Sequence, residues 1–288
     1  MKILVTGAAG RVGRAIHARL GREHEVVGLD RKASPTTDVV ASIEDAGRMR
    51  RALHGVQAVV HVAALHAPHV GRQSEAIFEF VNVDATEQLA RLALQEGVRR
   101  FVFTSTTALY GATATQGAAA WVDEGTVPAP RTVYHRTKIA AERALQAIAE
   151  DGGLAVTALR MSRCFPEPAP LMAVYRLHRG VDARDVAEAH AAALAWNGPG
   201  YRRYVVSGAT PFEPADAAAL SADAAGVIER RAPALAAAFA ARGWKLPRSI
   251  DRVYDPRHAM AELGWRSRYG FEEVLAELDR GSPEVLPA

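Results

Sequence analysis

One stretch at the start of the chain leaves few choices of fold. Lys2-Ile3-Leu4-Val5-Thr6 is short and apolar and runs straight into glycines at positions 7, 10 and 13. A helical pattern follows at once through Ile16 and Leu20. The order predicts strand, tight turn, helix. Gly7 permits the turn, Gly10 lets backbone approach a pyrophosphate, and Gly13 lets the helix pack closely on the strand. The first turn of such a helix offers free N–H groups and a positive dipole end to phosphates. Residues 25–30 then read as a second strand ending in Asp30. A dinucleotide fold needs a carboxylate there for the adenosine ribose.

The same rhythm continues. After a polar loop through Pro35, Val39-Val40-Ala41-Ser42-Ile43 leads into a helix through Met49 and Leu53. Residues 56–64 (VQAVVHVAA) form a continuous apolar run, as in a strand buried on both faces. A long helix is predicted over 74–96, a strand over 100–106, a helix over 134–150 and a strand over 154–160. Such alternation implies right-handed crossovers and a parallel sheet. Past Arg160 it breaks into a proline-rich run, Phe165-Pro166-Glu167-Pro168-Ala169-Pro170. A helix over 185–195 and a strand over 203–206 return to the sheet; residues 209–248 are Ala-rich and mostly helical, and 271–278 close as a helix. The expected class is α/β: a Rossmann-type doubly wound parallel sheet with a small, mostly helical C-terminal substrate lobe. Residues 1–160 would bind the nucleotide and 161–288 the substrate, with 177–206 rejoining the sheet.

Composition excludes several roles. The 288 residues, 49% of them apolar, suffice for a sizeable core. The net charge is only +3, and the arginines lack interleaved aromatics, so no nucleic-acid partner is expected. The single cysteine, Cys164, reads as a buried small residue, allows no internal disulfide and suits a cytoplasmic protein. No run approaches the ~20 apolar residues of a membrane span. Met1 leads directly into a predicted strand, so no signal peptide is expected. His61, His66 and His69 cluster after the third strand, but no Cys or carboxylate completes a set, so no metal is expected.

The reactive groups lie on the fourth strand and the helix at 134–150. Tyr134 and Lys138 stand four apart, on one helix face. A free phenol titrates near about 10, and a nearby cation favours its phenolate. Lysine is rare here, at 2, 32, 138 and 245 only, so its place after Tyr134 carries information. Thr104-Ser105-Thr106-Thr107 ends a predicted strand, at the sheet edge where ligands of open α/β folds bind. Ser105, Thr106 and Thr107 are candidates to hold a substrate oxygen.

Together these residues resemble the extended short-chain dehydrogenase/reductase superfamily, often called NAD-dependent epimerases/dehydratases. The resemblance rests on Thr6 through Gly13, His61-Val62-Ala63-Ala64, Asn82-Val83-Asp84-Ala85-Thr86, Phe101 through Gly111, and Tyr134 through Lys138. It implies that Tyr134 is the acid/base and Lys138 its modulator and ribose ligand. Thr106, four before Tyr110, would fix the reacting oxygen, with Ser105 behind it. For the cofactor it implies Gly7, Ala9, Gly10, Arg11, Val12, Asp30, Arg31, Ser42, Ile43, Val62, Ala63, Ala64 and Asn82, besides Tyr134 and Lys138. NAD is expected over NADP because Asp30 would repel a 2′-phosphate; Arg31 and Arg11 leave NADP possible. Ser42-Ile43 replaces the family's usual acid-plus-aliphatic pair at the adenine. The stretch 160–168 looks nearest to the uronate dehydrogenase branch, yet Met172 stands where that branch has its carboxylate-binding arginine. Arg163 and Arg176 are the candidate replacements. Helices such as 74–97 and 134–150 pair across a two-fold in relatives, so a homodimer is expected, through stripes including Phe78, Leu92, Ile139 and Ile148.

The expected function is an NAD(P)-dependent oxidoreductase acting on a secondary alcohol or ketone of a small sugar, sugar acid or polyol. A sugar-nucleotide 4-epimerase/dehydratase is the rival, and a non-catalytic NAD(P)-sensing protein the third reading. Size discriminates. The return helix begins near Val181-Asp182-Ala183-Arg184-Asp185-Val186, only about fifteen residues after Pro166. By resemblance a nucleotide clamp takes several tens, and a short proline-rich segment is not expected to fold the strand and helix it needs. A small substrate would sit between Thr106, Tyr134 and segment 162–176.

Overall fold

A computed structural model describes residues 1–196 and 198–288. The chain divides into two compact units: Met1–Gly111, Pro128–Arg160 and Val186–Tyr204 form one, Ala112–Val127, Met161–Asp185 and Val205–Ala288 the other. Strands are β1 (Lys2–Thr6), β2 (Glu25–Asp30), β3 (Val39–Val40), β4 (Ala58–His61), β5 (Arg100–Thr106), β6 (Ala120–Val122), β7 (Ala155–Met161), β8 (Tyr201–Val206) and β9 (Arg252–Tyr254). Helices up to the middle of the chain are α1 (Arg11–Leu20), α2 (Ala46–Ala52), α3 (Glu75–Glu79), α4 (Ala85–Gln95), α5 (Val133–Glu150), α6 (Ala169–Arg176) and α7 (Ala183–Ala195). The remainder are α8 (Ala217–Ala222), α9 (Ala224–Arg231), α10 (Pro233–Ala241), α11 (Arg257–Leu263) and α12 (Phe271–Asp279).

Seven strands make one sheet in the order β3-β2-β1-β4-β5-β7-β8. β1 pairs parallel with both β2 and β4, so the winding reverses at β1 and leaves a crevice beyond the carboxyl ends of β1 and β4. Leu4, Val59, Phe101 and Phe103 of the sheet pack in one core with Phe78, Leu89 and Leu145 from the helices. β4 is shorter than its apolar run. Thr6 Oγ1 accepts the N–H groups of Val62 and Ala63 at 3.2 and 3.3 Å, which draws the chain out of the ladder after His61.

The long helix predicted over 74–96 is three pieces. Ser74 caps α3, a π-turn spans Phe80–Asp84, and α4 continues. Asn82 lies in the π-turn and is buried. Its amide oxygen accepts the Leu65 N–H at 2.8 Å, and its NH2 donates to the Leu65 carbonyl at 2.9 Å and to Thr137 Oγ1 at 3.1 Å. A π-turn puts one extra residue into a helix; here that residue pattern points the Asn82 amide at two other elements.

The second unit has its own core of Met172, Leu177, Phe212, Leu235, Phe239, Ile250 and Phe271. β6 and β9 form a parallel two-stranded ribbon that the sequence rhythm did not predict. The proline-rich run, expected to be too short for the strand and helix of a nucleotide clamp, leads into a single helix, α6. Pro170 falls within the first turn, where a fixed φ helps and the missing N–H costs nothing. Asp185 is buried and accepts from Ser267 Oγ and the N–H groups of Arg268 and Tyr269, fastening the loop before α12. Among the described residues no helix is long and apolar enough to cross a membrane.

Candidate active site

The glycine turn is built from close backbone approaches. Gly7 has φ +72°, and a Cβ on it would lie 2.7 Å from the Ala63 nitrogen. At Gly13 a Cβ would lie 2.0 Å from the Gly7 carbonyl oxygen, so neither position admits a side chain. Gly10 is the extended N-cap of α1 and leaves that helix's first N–H groups open. Asp30 closes the turn from β2: its Oδ2 accepts the Ala9 N–H at 3.0 Å and its Oδ1 the Lys32 N–H at 2.9 Å. Arg11 and Val12 are half-buried on α1, and Arg31 is exposed. Ile43 is buried, while the Ser42 hydroxyl donates to Glu44. This donor set and the lack of any side chain beyond a methyl from Gly7 to Gly10 fit a dinucleotide pyrophosphate and ribose.

Behind the turn, Thr6 ties β1 to β4. With both lone pairs taken by Val62 and Ala63, its proton goes to His61 Nδ1 at 2.7 Å, so the His61 ring proton sits on Nε2 and is given to Thr86 Oγ1 at 2.9 Å. Burial, with the Lys138 charge adding to it, pushes the His61 imidazole down to about 3. A neutral ring with both nitrogens bonded is a structural strut. Val62, Ala63 and Ala64 are half-buried at this edge. Asn82 is buried with both amide protons used on Leu65 and Thr137.

The end of β5 and the start of α5 bring the reactive side chains together. The half-buried Tyr134 phenol is faced by the Thr106 hydroxyl. Burial pushes the phenol up to about 12, against the lowering effect of Thr106. Lys138 is buried; its Nζ donates to the Thr104 carbonyl at 2.7 Å and lies 3.9 Å from the Phe103 ring centre. Burial lowers this ammonium to about 7, opposed by Glu142. Burial therefore dominates both groups; what opposes it is Thr106 at the phenol and Glu142 at the ammonium. Thr107 is buried too. Ser105 is 2% exposed, and its hydroxyl donates to Glu142 at 2.5 Å.

The two arginines lie in the second unit. Arg176 is 3% exposed and donates to Asp182 at 3.0 Å. Arg163 is exposed, pairs with Glu167 and lies over the Tyr175 ring. Cys164 is buried. Sequence reasoning missed Glu142, Arg160 and His190. His190 Nε2 bonds Thr104 Oγ1 at 2.8 Å, so β5 is held on the side of α7 as well. Glu142 stands four residues after Lys138, a helical spacing that was available as a signal.

A model of the NAD dependent epimerase/dehydratase family matches residues 3–168. The chain is 35% identical over 123 residues to a NAD-dependent glucose-6-phosphate dehydrogenase of Haloferax volcanii, covering 38% of this chain and 45% of that protein. It is 30% identical over 170 residues to an L-arabinose 1-dehydrogenase (NAD(P)(+)) of the same organism, covering 56% and 66%. The chain thus spans less than two thirds of the length of either relative. A short-chain dehydrogenase/reductase superfamily protein from Agrobacterium tumefaciens, solved with bound NAD, superposes with a TM-score of 0.72 at 21% identity over 96% of this chain and 95% of that one.

Proposed function

The chain belongs to the NAD dependent epimerase/dehydratase family, and from that premise we propose that it is an NAD(P)-dependent oxidoreductase acting on a secondary alcohol or ketone carbon of a small sugar, sugar acid or polyol. The observation that carries this reading is the Tyr134 phenol facing Thr106, with Lys138 held one helical turn behind it on the Thr104 carbonyl. NAD, the family's cofactor, supplies when bound the nicotinamide carbon that exchanges hydride. The N–H groups at the start of α1 would hold its pyrophosphate and Asp30 its ribose. Tyr134 takes the hydroxyl proton during oxidation and returns it during reduction. Thr106 holds the same oxygen, and Lys138 lowers the cost of the phenolate by its charge.

The relatives named as glucose-6-phosphate and L-arabinose dehydrogenases support a sugar-sized substrate. So does the short stretch between Pro166 and Asp182. The same three side chains would serve a sugar-nucleotide 4-epimerase, and epimerases are part of the family's description. NAD that stays bound through gel filtration would favour that rival; substrate-dependent release of NADH favours the dehydrogenase. A protein that only senses NAD(P) has no use for Tyr134, Lys138 and Thr106 together. Tyr134→Phe is expected to lower turnover about 10²- to 10⁴-fold with fold and NAD binding intact. Turnover at the native rate in that variant would overturn the assignment.

A further inference from the structure

Glu142 takes no part in the chemistry above, yet it is built into the same helix face. Tyr134, Lys138 and Glu142 follow at successive spacings of four on α5. Glu142 is 4% exposed. Its carboxylate accepts from Ser105 Oγ at 2.5 Å, from Arg160 Nε at 3.0 and 3.2 Å and from Arg160 Nη2 at 2.5 Å. Arg160, on β7, is also buried, and its Nη1 donates to the Tyr110 hydroxyl. Tyr201 of β8 faces the same carboxylate. Desolvating such a pair is costly, and apolar residues of similar volume often replace one without loss of stability. Stability alone is therefore a weak account of why this pair is here.

Register is a stronger one. α5 meets three consecutive residues of β5: Lys138 bonds the Thr104 carbonyl, Glu142 the Ser105 hydroxyl, and Tyr134 faces Thr106. Of the three, Glu142 is also fixed from the neighbouring strand, through Arg160. We propose that Glu142 is a positioning residue: anchored by Arg160, it sets the register of α5 on β5 and so fixes the Tyr134–Thr106 contact and the seat of Lys138. This rests on the reading of Tyr134 as acid/base.

The carboxylate also acts through charge. Lys138 is faced by Glu142 on its own helix, by His61 of β4, by His66 just beyond β4 and by the Phe103 ring of β5. Glu142 is faced by Arg160, Tyr201, Ser105 and Lys138, while Tyr110 bonds Arg160 from its other side. Without the carboxylate, burial acts unopposed on Lys138, which gives up its proton at a lower pH. Tyr134 then lacks its cation, and its phenolate forms only at higher pH.

The test is the double variant Glu142→Leu/Arg160→Met, measured for thermal unfolding, NAD binding and the pH dependence of kcat for alcohol oxidation. Removing both charges leaves neither member of the Glu142–Arg160 pair buried without its partner. The expected result is a folded protein that binds NAD, with kcat about 10- to 100-fold lower and its acid limb moved to higher pH. A folded double variant with native kcat and an unmoved limb would overturn the proposal. Glu142→Asp covers the case in which the double variant does not fold. It keeps a charge for Arg160 but is one methylene too short for Ser105, so a lowered kcat with an unmoved limb is expected; native kcat would again overturn the proposal. Tyr134→Phe is run alongside. Native turnover there would sink the acid/base reading itself, whatever the Glu142 variants do.

Discussion

Both oxygens of the Asp30 carboxylate accept a backbone N–H, from Ala9 and from Lys32, so the group is fixed before any ligand arrives. Each oxygen has a second lone pair left for a ribose hydroxyl. A 2′-phosphate, with its charge near about −2, would meet a negative group that cannot swing away. Exposed Arg31 next door can offset this only by turning over the adenosine. NAD is therefore expected to be preferred, and Asp30→Ala should weaken NAD and narrow the gap to NADP. A native preference for NADPH that Arg31→Ala abolishes would show the opposite assignment. Asp30, Gly7 and Gly13 were legible in the sequence because their roles are backbone requirements met within one strand–turn–helix unit. Glu142 was not. Its partners Ser105 and Arg160 lie 37 and 18 residues away, and no local pattern announces such a pairing.

At the level of elements, periodicity located the helices and strands, while side-chain bonds decided where they stop. Thr6 ends β4 early, and the π-turn that breaks the long helix carries Asn82, clamped to Leu65 and Thr137. That clamp bears on the dimer expected of these helices. Phe78, Leu92 and Ile148 are already buried in the core, so three of the four residues named for the stripe are used within the monomer. Ile77 and Phe80 are instead 43% and 51% exposed, beside the Arg136–Glu75 ion pair that joins α3 to α5. We propose the two-fold contact on that pair of side chains. Phe80→Glu should shift the protein to monomer in sedimentation without lowering its melting temperature. An unchanged sedimentation coefficient at every concentration would refute the contact.

Across the whole molecule, the βα rhythm was enough to anticipate the parallel sheet, because each crossover is local. The β6–β9 ribbon joins segments far apart in the chain and had no such signature. The two units share one further trait. His61 and His190 in the first and His178 in the second are fully buried, and burial pushes them down to about 3, 4 and 3. All three are neutral while the chain is folded and titrate near about 6.5 when it is unfolded. Their contribution to stability is thus complete above about pH 6.5 and is lost as pH falls toward the folded values. Unfolding in that range takes up protons, up to one for each ring. Mild acid should therefore act on this protein as a denaturant, and the melting temperature should drop steeply between about pH 6.5 and pH 5. A flat melting profile across that range would mean the rings charge without unfolding. Read the other way, folding is a proton-releasing reaction in weak acid, and a compartment's pH sets how much of the chain stays folded.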